Sequence, residues 1–517
     1  MILKRYLVLA LLGMASAVHA DDGFKSIFDG KTLAGWNAAE MSYWSVEDGA
    51  ITAQCSDKNP AKHNQFLLWS GGLVDDFELK LKFRLFGTEK ANSGIQFRSA
   101  YRDRDAHVIG YQADIDMSGR WLGSLYDEAT GRRGLAGRGQ RTEIAADGTR
   151  TSSQLSGPDV INNIKFDQWN DYHITARGGH ITLKINGHTT AEVIDNETAH
   201  RDLIGNLALQ LHSGPPMKVQ FKDIKIKRLP LADDRKKIVI IAGKPSHPSG
   251  QHEFNAGVKL LTKRLNKLDS VVAANYHNGW PADETAFDNA NAVVIYSDGQ
   301  GRHAIEGHWD RMEALTKKGV GMMCMHYAVH VDPGVKGGKF QQWLGGYYES
   351  NYSSNPHWVA DLKVNKDHPI GRGVDSKKVY DEWYFCMRFR KDMKDVASIL
   401  QAYPGKQTRS KNGYPPKPYP HIIKMLGRLE TLMWAVERPD GGRGVGFTGG
   451  HWHRNGANEA QRRAVLNAML WIAGAQVPEG GVQSDPVTEE ELNQNLDKKR
   501  KMLKVKLTGD DFTNRPG

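Results

Sequence analysis

The chain has 517 residues, of which 39% are hydrophobic, and this length predicts two or three domains rather than one core. Its formal net charge is +10, but lysine and arginine are interleaved with acidic residues, which argues against nucleic-acid binding. Only three cysteines are present, so no disulfide framework is expected and a large apolar core must stabilise the protein.

Residues 1–20 have the pattern of a cleavable signal peptide. Lys4 and Arg5 precede an apolar run over 6–14, and small residues lead up to Ala20. We expect cleavage after Ala20, and no cysteine follows it to carry a lipid. No later segment approaches the ~20 apolar residues of a membrane helix, so the pattern predicts a periplasmic or secreted protein without a transmembrane segment.

Residues 23–229 consist of short runs that alternate between apolar and polar side chains, separated by Gly, Asn and Asp turns. The runs 77–85 and 180–188 show the alternation clearly. A period of two residues is typical of strands with one buried face. The pattern predicts an antiparallel β-sandwich that ends at the polar link 229–234.

Two neighbouring runs, 92–98 and 110–116, carry an unusual concentration of polar side chains. Successive strand residues point to opposite faces, so the apolar positions should enter the core while the polar positions share the other face. An ordinary solvated face of a sandwich alternates in the same way, and this alternative stays open. The polar positions are Gln96, Arg98, Gln112, Asp114 and Asp116.

After the link the pattern changes to continuous apolar strands followed by helical stretches. Strands are predicted at 237–243, 291–296, 319–325 and 444–448, and helices at 256–268, 309–318 and 459–473. This order predicts an α/β doubly wound parallel sheet over 236–477. Residues 478–517 are polar and are predicted to form an appended helix or a loose tail.

Ionisable side chains follow several of the predicted parallel strands. The carboxyl ends of such strands meet at one edge of the sheet, where ligands bind, so we expect a site there. A single histidine is more often structural, but several strand ends supply histidine or carboxylate. The residues concerned are His247, His252, Glu253, Asp298, His326, His330, His451 and His453.

Three chemistries could use that edge. A metal site could take two ligands from His326 and His330, one helical turn apart. Acid-base chemistry needs one histidine or glutamate with an orienting partner, which 252–253 or 381–382 could provide. A nucleophilic Cys324 is the least favoured, because methionines flank it and it is better interpreted as a core residue.

Several segments of the first domain resemble the 3-keto-disaccharide hydrolase domain family, which are concanavalin-like jelly-roll sandwiches of secreted bacterial proteins. The matching segments are 23–36 (GFKSIFDGKTLAGW), 92–99 (NSGIQFRS), 110–116 (GYQADID) and 207–216 (LALQLHSGPP). Gln112 and Asp114 stand where many members of that family have a glutamate and a glutamine.

The second domain resembles the trehalose-utilisation (ThuA-like) family. The matching segments are 242–247 (AGKPSH), 324–328 (CMHYA), 368–370 (HPI), 381–384 (DEWY) and 449–451 (GGH). This resemblance implies the flavodoxin-like fold of class I glutamine amidotransferases without their nucleophile.

Both resemblances imply a carbohydrate substrate with a ketone at ring carbon 3. Such a carbonyl acidifies the C2 proton, so a base can remove it and the C1 substituent can leave by elimination. Water then adds back, giving net hydrolysis without the carboxylate pair of direct glycosidic displacement. We therefore expect an exported enzyme that cleaves 3-keto-glycosides; a sandwich that only binds glycan and tethers the second domain is the alternative.

We expect the polar face of the sandwich to hold the groups for this reaction. The predicted base is Asp114 or Asp116, and His212 is the predicted proton relay. The groups predicted to steady the enolate oxygen or to orient the sugar are Arg98, Gln96, Gln112, Asn92 and Tyr126.

For the second domain we expect a related lyase, hydratase or isomerase step. The catalytic residues are predicted to be His247, His252, Glu253, His326, Glu382 and His451, and the substrate-binding residues Asp298 and Asp381. A divalent metal is one alternative here, and no other cofactor is expected. Carbohydrate is the expected partner, while the oligomeric state stays open.

Overall fold

The computed structural model describes residues 23–102, 105–232, 234–410, 419–507 and 511–516. The predicted signal peptide lies outside the described residues. Among the described helices, none is long and apolar enough to cross a membrane.

The first domain is a sandwich of two sheets. In spatial order, the first sheet contains Arg150–Gln154, Gln140–Ile144, His188–Asp195, His180–Ile185, Asn170–Arg177, Phe77–Phe86, Met217–Arg228, Ala50–Cys55 and Trp44–Glu47, with Lys25–Ser26 beside Met217–Arg228. The second contains Arg133–Ala136, Leu125–Glu128, His107–Asp116, Asn92–Arg102, Asn206–Leu211, Gln65–Trp69 and Trp36–Asn37. Pairing is antiparallel except between Gln140–Ile144 and His188–Asp195, so the predicted sandwich is confirmed.

The core of this domain lies between the two sheets. Ile95, Phe97, Ala113 and Ile115 are fully buried there, as the alternation predicts. Their polar neighbours therefore face away from this core, on the opposite side of the second sheet.

Arg98 departs from the predicted polar face. The pairing register shifts between Gln96 and Ala100, and Arg98 lies in this bulge with a φ of +50°. Its fully buried guanidinium binds the Asp76 carboxylate at 2.8 Å and the Gly178 carbonyl at 2.6 Å. Arg98 is thus a structural ion-pair residue, and this corrects its predicted role beside the enolate.

The second domain contains a mixed eight-stranded sheet within the described residues. In spatial order its strands are Val271–Tyr276, Lys236–Ala242, Ala292–Tyr296, Gly321–Met325, Arg443–Phe447, Glu430–Glu437, Val396–Ala402 and Lys363–Val364. The first five are parallel, which confirms the predicted parallel sheet, whereas the last three are antiparallel. The short connection 438–442 explains part of this difference, because only an antiparallel pair can be joined so tightly.

The described α-helices are Phe254–Leu265, Trp309–Lys317, Val335–Trp343, Lys406–Ser410, Pro420–Lys424, Glu459–Ile472 and Glu489–Leu492. The described 3-10 helices are Met41–Tyr43, Val160–Asn162, Glu284–Phe287, Gln300–Arg302, His326–Val329, Pro369–Gly371, Lys391–Met393 and His453–Ala457. Two small sheets join Gly346–Tyr347 with Arg388–Phe389 and His357–Asp361 with Lys378–Glu382. The three helices predicted in this domain are present, with ends within three residues of the prediction.

The C-terminal segment, residues 478–507 and 511–516, packs on the second domain rather than hanging loose. The Glu491 carboxylate receives two hydrogen bonds of 2.7 Å from Arg264, and Phe512 is buried. Its helix is the single turn Glu489–Leu492, capped by the Thr488 side chain. The prediction of a loose tail is therefore wrong for the described residues.

A buried ion pair joins the two domains. The Asp75 carboxylate lies 2.7 Å from the Lys237 ammonium, and both side chains are fully buried. Asn289 donates to Asp75 and to the carbonyl of Leu229, the first residue of the interdomain link 229–234. The link is therefore held beside the Asp75–Lys237 ion pair. Although burial opposes ionisation of Asp75, the charges of Lys237 and Arg228 hold its pKa below the ordinary value.

Replacing Asp75 should destabilise the protein strongly. We expect Asp75→Asn to lower the free energy of unfolding by about 3 kcal/mol or more, because Lys237 would keep a buried charge without its partner. Denaturant unfolding measures the change. Asp171→Asn, which removes the solvent-exposed Lys82–Asp171 pair, should cost at most about 1 kcal/mol; equal losses in the two variants would contradict the assignment.

Candidate functional site

Three buried histidines and the partly buried Glu382 meet at the carboxyl edge of the parallel strands. His252 precedes the helix Phe254–Leu265, His326 follows the strand Gly321–Met325, and His451 comes four residues after Arg443–Phe447. Glu382 is the last residue of Lys378–Glu382. The three histidine residues are at most 4% exposed, so they belong to the interior.

Five of the six separations within this cluster are close to the edges of a metal coordination tetrahedron, and the sixth, between the ligand atoms of His252 and Glu382, is at most 4.8 Å. His252 Nε2 lies 3.1 Å from both His326 Nε2 and His451 Nδ1, which are 3.3 Å apart. Glu382 Oε2 lies 3.4 Å from His326 Nε2 and 3.0 Å from His451 Nδ1. Zinc–ligand bonds of about 2.1 Å in a tetrahedron give ligand separations of about 3.4 Å. The four atoms therefore lie close enough together to hold one small divalent ion.

The protons on two imidazoles strengthen this interpretation. His326 Nδ1 lies 2.9 Å from the Thr448 carbonyl, which can only accept, and His252 Nδ1 lies 3.0 Å from the Asp298 carboxylate. Each Nδ1 therefore carries the proton, and in the neutral ring Nε2 offers a lone pair. Two such lone pairs 3.1 Å apart repel each other unless a cation or an extra proton lies between them.

The ligands are held by partners that are typical of metal centres. Besides Asp298 and the Thr448 carbonyl, Asn355 donates to Glu382 Oε1 at 2.9 Å. Asp381 accepts from the backbone N–H of Gly450 at 2.8 Å and of His451 at 3.1 Å. Such outer hydrogen bonds fix the orientation of ligating imidazoles and carboxylates.

Burial and charge favour the ligating forms of two members. Burial, together with the neighbouring imidazoles of His326 and His451, holds the pKa of His252 well below its usual range. Although burial opposes ionisation of Glu382, hydrogen bonds with the same two histidines hold its pKa below the ordinary value. A neutral imidazole and an ionised carboxylate are the forms that bind metal.

The other predicted residues of this domain lie around the cluster in supporting roles. His247 stacks on His252 at 3.6 Å between ring centroids, and its side chain is 37% exposed. Burial and the charges of His451 and His326 lower the pKa of His247 to about 4, so it is a neutral base near pH 7. Asp298 and Asp381 are occupied by the contacts above, which corrects their predicted roles in substrate binding.

Three further predictions are corrected by the structure. Glu253 accepts from the backbone N–H of Gly250 at 2.7 Å and of Asp497 at 2.8 Å, so it supports the backbone instead of facing the site. His330 binds Ser350 at 2.8 Å and is not part of the cluster, so it is not the partner of His326 in metal binding. His453 is not part of the cluster either, since its Nε2 donates to a carbonyl of the C-terminal segment.

Sequence reasoning missed several members of the site. Thr448 contributes only its carbonyl, which no side-chain pattern reveals. Asn355 lies in the long insertion between the parallel strands, and Tyr384, whose hydroxyl lies 3.4 Å from His326 Nε2, follows Glu382 by two residues. The DEWY segment was the one signal that could have pointed to Tyr384.

In the sandwich, the polar face contains a chain of hydrogen bonds that ends at Asp114. Gln112 donates to Asp114 at 2.6 Å, Gln96 donates to Gln112 at 2.6 Å, and the Ser99 hydroxyl donates to Gln96 at 3.0 Å. Burial, with the nearby charge of Glu128, raises the pKa of Asp114 well above its ordinary value. Asp114 is thus an oriented carboxyl group with an increased proton affinity.

Asp116 and His212, the other residues predicted to transfer protons at this face, are both engaged in hydrogen bonds. Asp116 accepts from the Ser118 hydroxyl at 2.6 Å and from the Trp121 N–H at 2.9 Å, so it holds the following loop and is not free to act as base. His212 Nδ1 donates to the Ser213 carbonyl at 2.6 Å. Within the described residues His212 makes no hydrogen bond to Asp114, so its relay role stays a prediction.

Aromatic side chains border the polar face. Trp121 is 36% exposed and contacts Tyr126 edge-to-face with ring centroids 5.8 Å apart. Tyr126 is half-buried and pairs across the strands with Gln112. Asn92 is half-buried, opposite Asp116. An exposed aromatic ring beside amides and a carboxyl is a surface on which a pyranose ring can stack and form hydrogen bonds.

Comparison with protein families assigns both domains. Residues 23–227 match the model described as a 3-keto-alpha-glucoside-1,2-lyase-like domain, and residues 238–472 match the trehalose utilisation (ThuA) model. The chain therefore carries a 3-keto-alpha-glucoside-1,2-lyase-like domain followed by a ThuA domain, which confirms both predicted resemblances. No curated protein is significantly similar to it.

Three solved structures illustrate the similarity to single domains. The first is a candidate glycosyl hydrolase from Parabacteroides distasonis ATCC 8503, with 18% identity and a TM-score of 0.27 over 40% of this chain and 94% of that one. The carbohydrate binding module CBM66 from Bacillus subtilis shows 14% identity and a TM-score of 0.26 over 37% and 95%. A candidate ThuA-like protein from Bacteroides uniformis ATCC 8492 shows 18% and 0.34 over 46% and 91%. Each alignment covers less than half of this chain.

The cluster should bind one divalent ion per chain. We expect the full chain to take up about one equivalent of Zn²⁺ or Co²⁺ in equilibrium dialysis, and to release it as the pH falls because the imidazoles must be unprotonated to ligate. His326→Ala should weaken binding at least about a hundredfold.

His188→Ala is the matched control, since His188 is exposed on a sandwich hairpin. Wild-type metal affinity in His326→Ala would contradict the site.

Proposed function

We propose that this chain is an exported carbohydrate-active enzyme that cleaves 3-keto-glycosides, with a metal-dependent second site in its ThuA domain. The 3-keto substrate class is supported by the family description of the first domain, and the description of the second, trehalose utilisation, supports a sugar. The observation that carries the enzymatic function is the convergence of three imidazole nitrogens and one carboxylate oxygen within 4.8 Å of one another. Export is supported by the signal pattern of residues 1–20.

The sandwich carries the elimination step in this proposal. Asp114 takes the C2 proton of the bound 3-keto sugar, and the electron pair of the C2–H bond becomes an enolate with its charge on O3. When the carbonyl reforms, those electrons form a C1–C2 double bond and expel the C1 substituent, which takes the proton back from Asp114 and leaves as an alcohol. The raised pKa of Asp114 supports this role, because a base of higher proton affinity removes a carbon-bound proton more readily.

Orientation of the base is supported by the chain from Ser99 through Gln96 and Gln112. In these hydrogen bonds, one Asp114 oxygen accepts from the Gln112 amide, so the other oxygen can face the sugar. Trp121 and Tyr126 would receive the ring. Since Arg98 is bound to Asp76 away from this face, the enolate oxygen would depend on neutral donors such as the Tyr126 hydroxyl.

The ThuA domain carries the addition of water to the unsaturated ketone. Water adds as hydroxide to C1 and as a proton to C2, which gives the free 3-keto sugar and completes net hydrolysis. A divalent ion held by His252, His326, His451 and Glu382 would polarise the ketone or activate the water. His247 is the group that could move the proton, because it stacks on His252, is partly exposed and is neutral near pH 7.

A glycan-binding sandwich that tethers the ThuA domain is the second candidate function. The exposed Trp121 beside Tyr126 favours it, since such a surface can hold a sugar without acting on it. The two candidates differ in what Asp114 does. In a binding module Asp114 affects affinity alone, whereas in the enzyme it determines turnover.

Asp114→Asn should abolish the elimination. We expect kcat to fall at least about a hundredfold, because the amide cannot accept the C2 proton, while Asp171→Asn on the exposed face of the other sheet stays active. Mass spectrometry of products from a panel of 3-keto and unoxidised disaccharides measures turnover and linkage preference. Unchanged kcat in Asp114→Asn would refute the role.

The pH profile provides a separate check on Asp114. The base acts when deprotonated, and its pKa is raised, so kcat/KM should increase with pH through a limb well above the ordinary value of 3.8. A limb near that ordinary value would mean that an exposed carboxylate, and not Asp114, removes the proton.

Loss of metal should separate the two steps. With chelator, or in His326→Ala, we expect the glycoside to be consumed normally while an unsaturated sugar, lighter than the final product by one water, accumulates. His188→Ala should yield the hydrated product. Identical products with and without chelator would remove the metal-dependent hydration from the proposal.

A further inference from the structure

The C-terminal segment lies beyond both family models, which end at residues 227 and 472, yet it contacts segments that carry the ligands of the cluster. The Phe512 carbonyl accepts from the Tyr380 N–H at 2.7 Å, on the strand that ends at Glu382. The Leu492 carbonyl accepts from His453 Nε2 at 3.1 Å, two residues after His451. Two of the four ligands therefore have the C-terminal segment against their own stretch of chain.

Its most direct contact is made by Lys499 with the loop that carries His252. The Lys499 side chain is 4% exposed, and its ammonium donates to the carbonyls of Pro248 at 3.3 Å, of His252 at 3.4 Å and of Gln251. The Glu253 carboxylate lies 3.2 Å from the same ammonium. One buried cation thus holds four groups within six residues of loop.

That loop has a backbone conformation that needs support. His247 has a φ of +59° and His252 a φ of +46°, in the left-handed region that side chains with a Cβ adopt only at a cost in free energy. Such residues persist where the surrounding structure over-determines them. Lys499 provides such a constraint, because it donates to the carbonyl groups of Pro248, Gln251 and His252.

The same loop sets the separation of two ligands. The His252 N–H donates to the His451 carbonyl at 3.0 Å, and the His453 N–H donates to the Gly250 carbonyl at 2.9 Å. The two ligand-bearing stretches are therefore paired like short strands. A shift of the loop at 248–252 would change the distance between His252 Nε2 and His451 Nδ1.

Further contacts anchor Lys499 itself. The Asp497 N–H donates to Glu253, and the Asp497 side chain accepts from Asn255 at 2.6 Å. Ser249 exchanges hydrogen bonds of 3.0 and 3.1 Å with the backbone of Leu503. The chain on both sides of Lys499 is therefore fixed to the loop that Lys499 holds.

We propose that the C-terminal segment is a working part of the second site and that Lys499 is a positioning residue, which fixes the loop 248–253 so that His252 completes the metal-binding tetrahedron. The inference rests on the proposed metal centre. The geometry of the site then depends on residues after 472, which neither family model covers.

Cobalt titration of the full-length chain tests this inference, because Co²⁺ in a tetrahedral site absorbs visible light strongly and reports geometry as well as affinity. We expect Lys499→Met to weaken Co²⁺ binding at least tenfold and to reduce the intensity of the tetrahedral bands. Lys499→Arg, which can still donate to the carbonyls and pair with Glu253, should restore most of the affinity. A role in stability alone would leave the band shape unchanged.

Lys498→Met is the matched control, because Lys498 is the exposed neighbour of Lys499. It should behave as the wild type. Lys499→Gln, which keeps amide donors without a charge, provides a second variant should Lys499→Met not fold, and it should show an intermediate affinity.

The outcomes separate the two proposals. A tetrahedral Co²⁺ spectrum in the wild type, with the same affinity and bands in Lys499→Met or Lys499→Gln, would overturn the role of Lys499 and leave the metal centre standing. No Co²⁺ binding by the wild type would overturn the metal centre, and this inference with it.

Discussion

An excess of lone pairs in one buried volume is the constraint on which the second domain depends. His252 and His326 each use Nδ1–H to hold an acceptor, so their Nε2 lone pairs face each other at 3.1 Å, with His451 Nδ1 and Glu382 Oε2 beside them. Without a positive charge between them this arrangement is repulsive. A divalent cation converts the same geometry into four favourable bonds, and we take that as the reason why the cluster is built this way.

The rest of the domain brings distant residues to that point. The parallel strands supply two histidines at one edge of the sheet, as such sheets do. The insertion between strands adds the antiparallel edge and the small sheet that ends at Glu382. The C-terminal segment then closes over the loop of His252, and the Asp75–Lys237 pair fixes the sandwich against the first parallel strand.

The sequence predicted features that depend on local patterns, and it did not predict those that depend on contacts between distant parts of the chain. Alternation within a strand revealed the sandwich and the polar neighbours of Asp114, and apolar strand ends revealed His252, His326 and His451 as neighbours. Arg98 was misplaced because a bulge changes which face a residue occupies, and no alternation pattern shows a bulge in advance. Lys499 and the Thr448 carbonyl could not be found, since one belongs to a polar segment and the other is a backbone group.

A crystal structure of the full chain soaked in Zn²⁺, with anomalous scattering recorded at the zinc edge, would show directly whether the cluster holds a metal ion. We expect one buried peak at about 2.0–2.1 Å from His252 Nε2, His326 Nε2, His451 Nδ1 and a Glu382 oxygen. An anomalous map with no peak between these four atoms, while zinc occupies other positions on the same molecule, would contradict it.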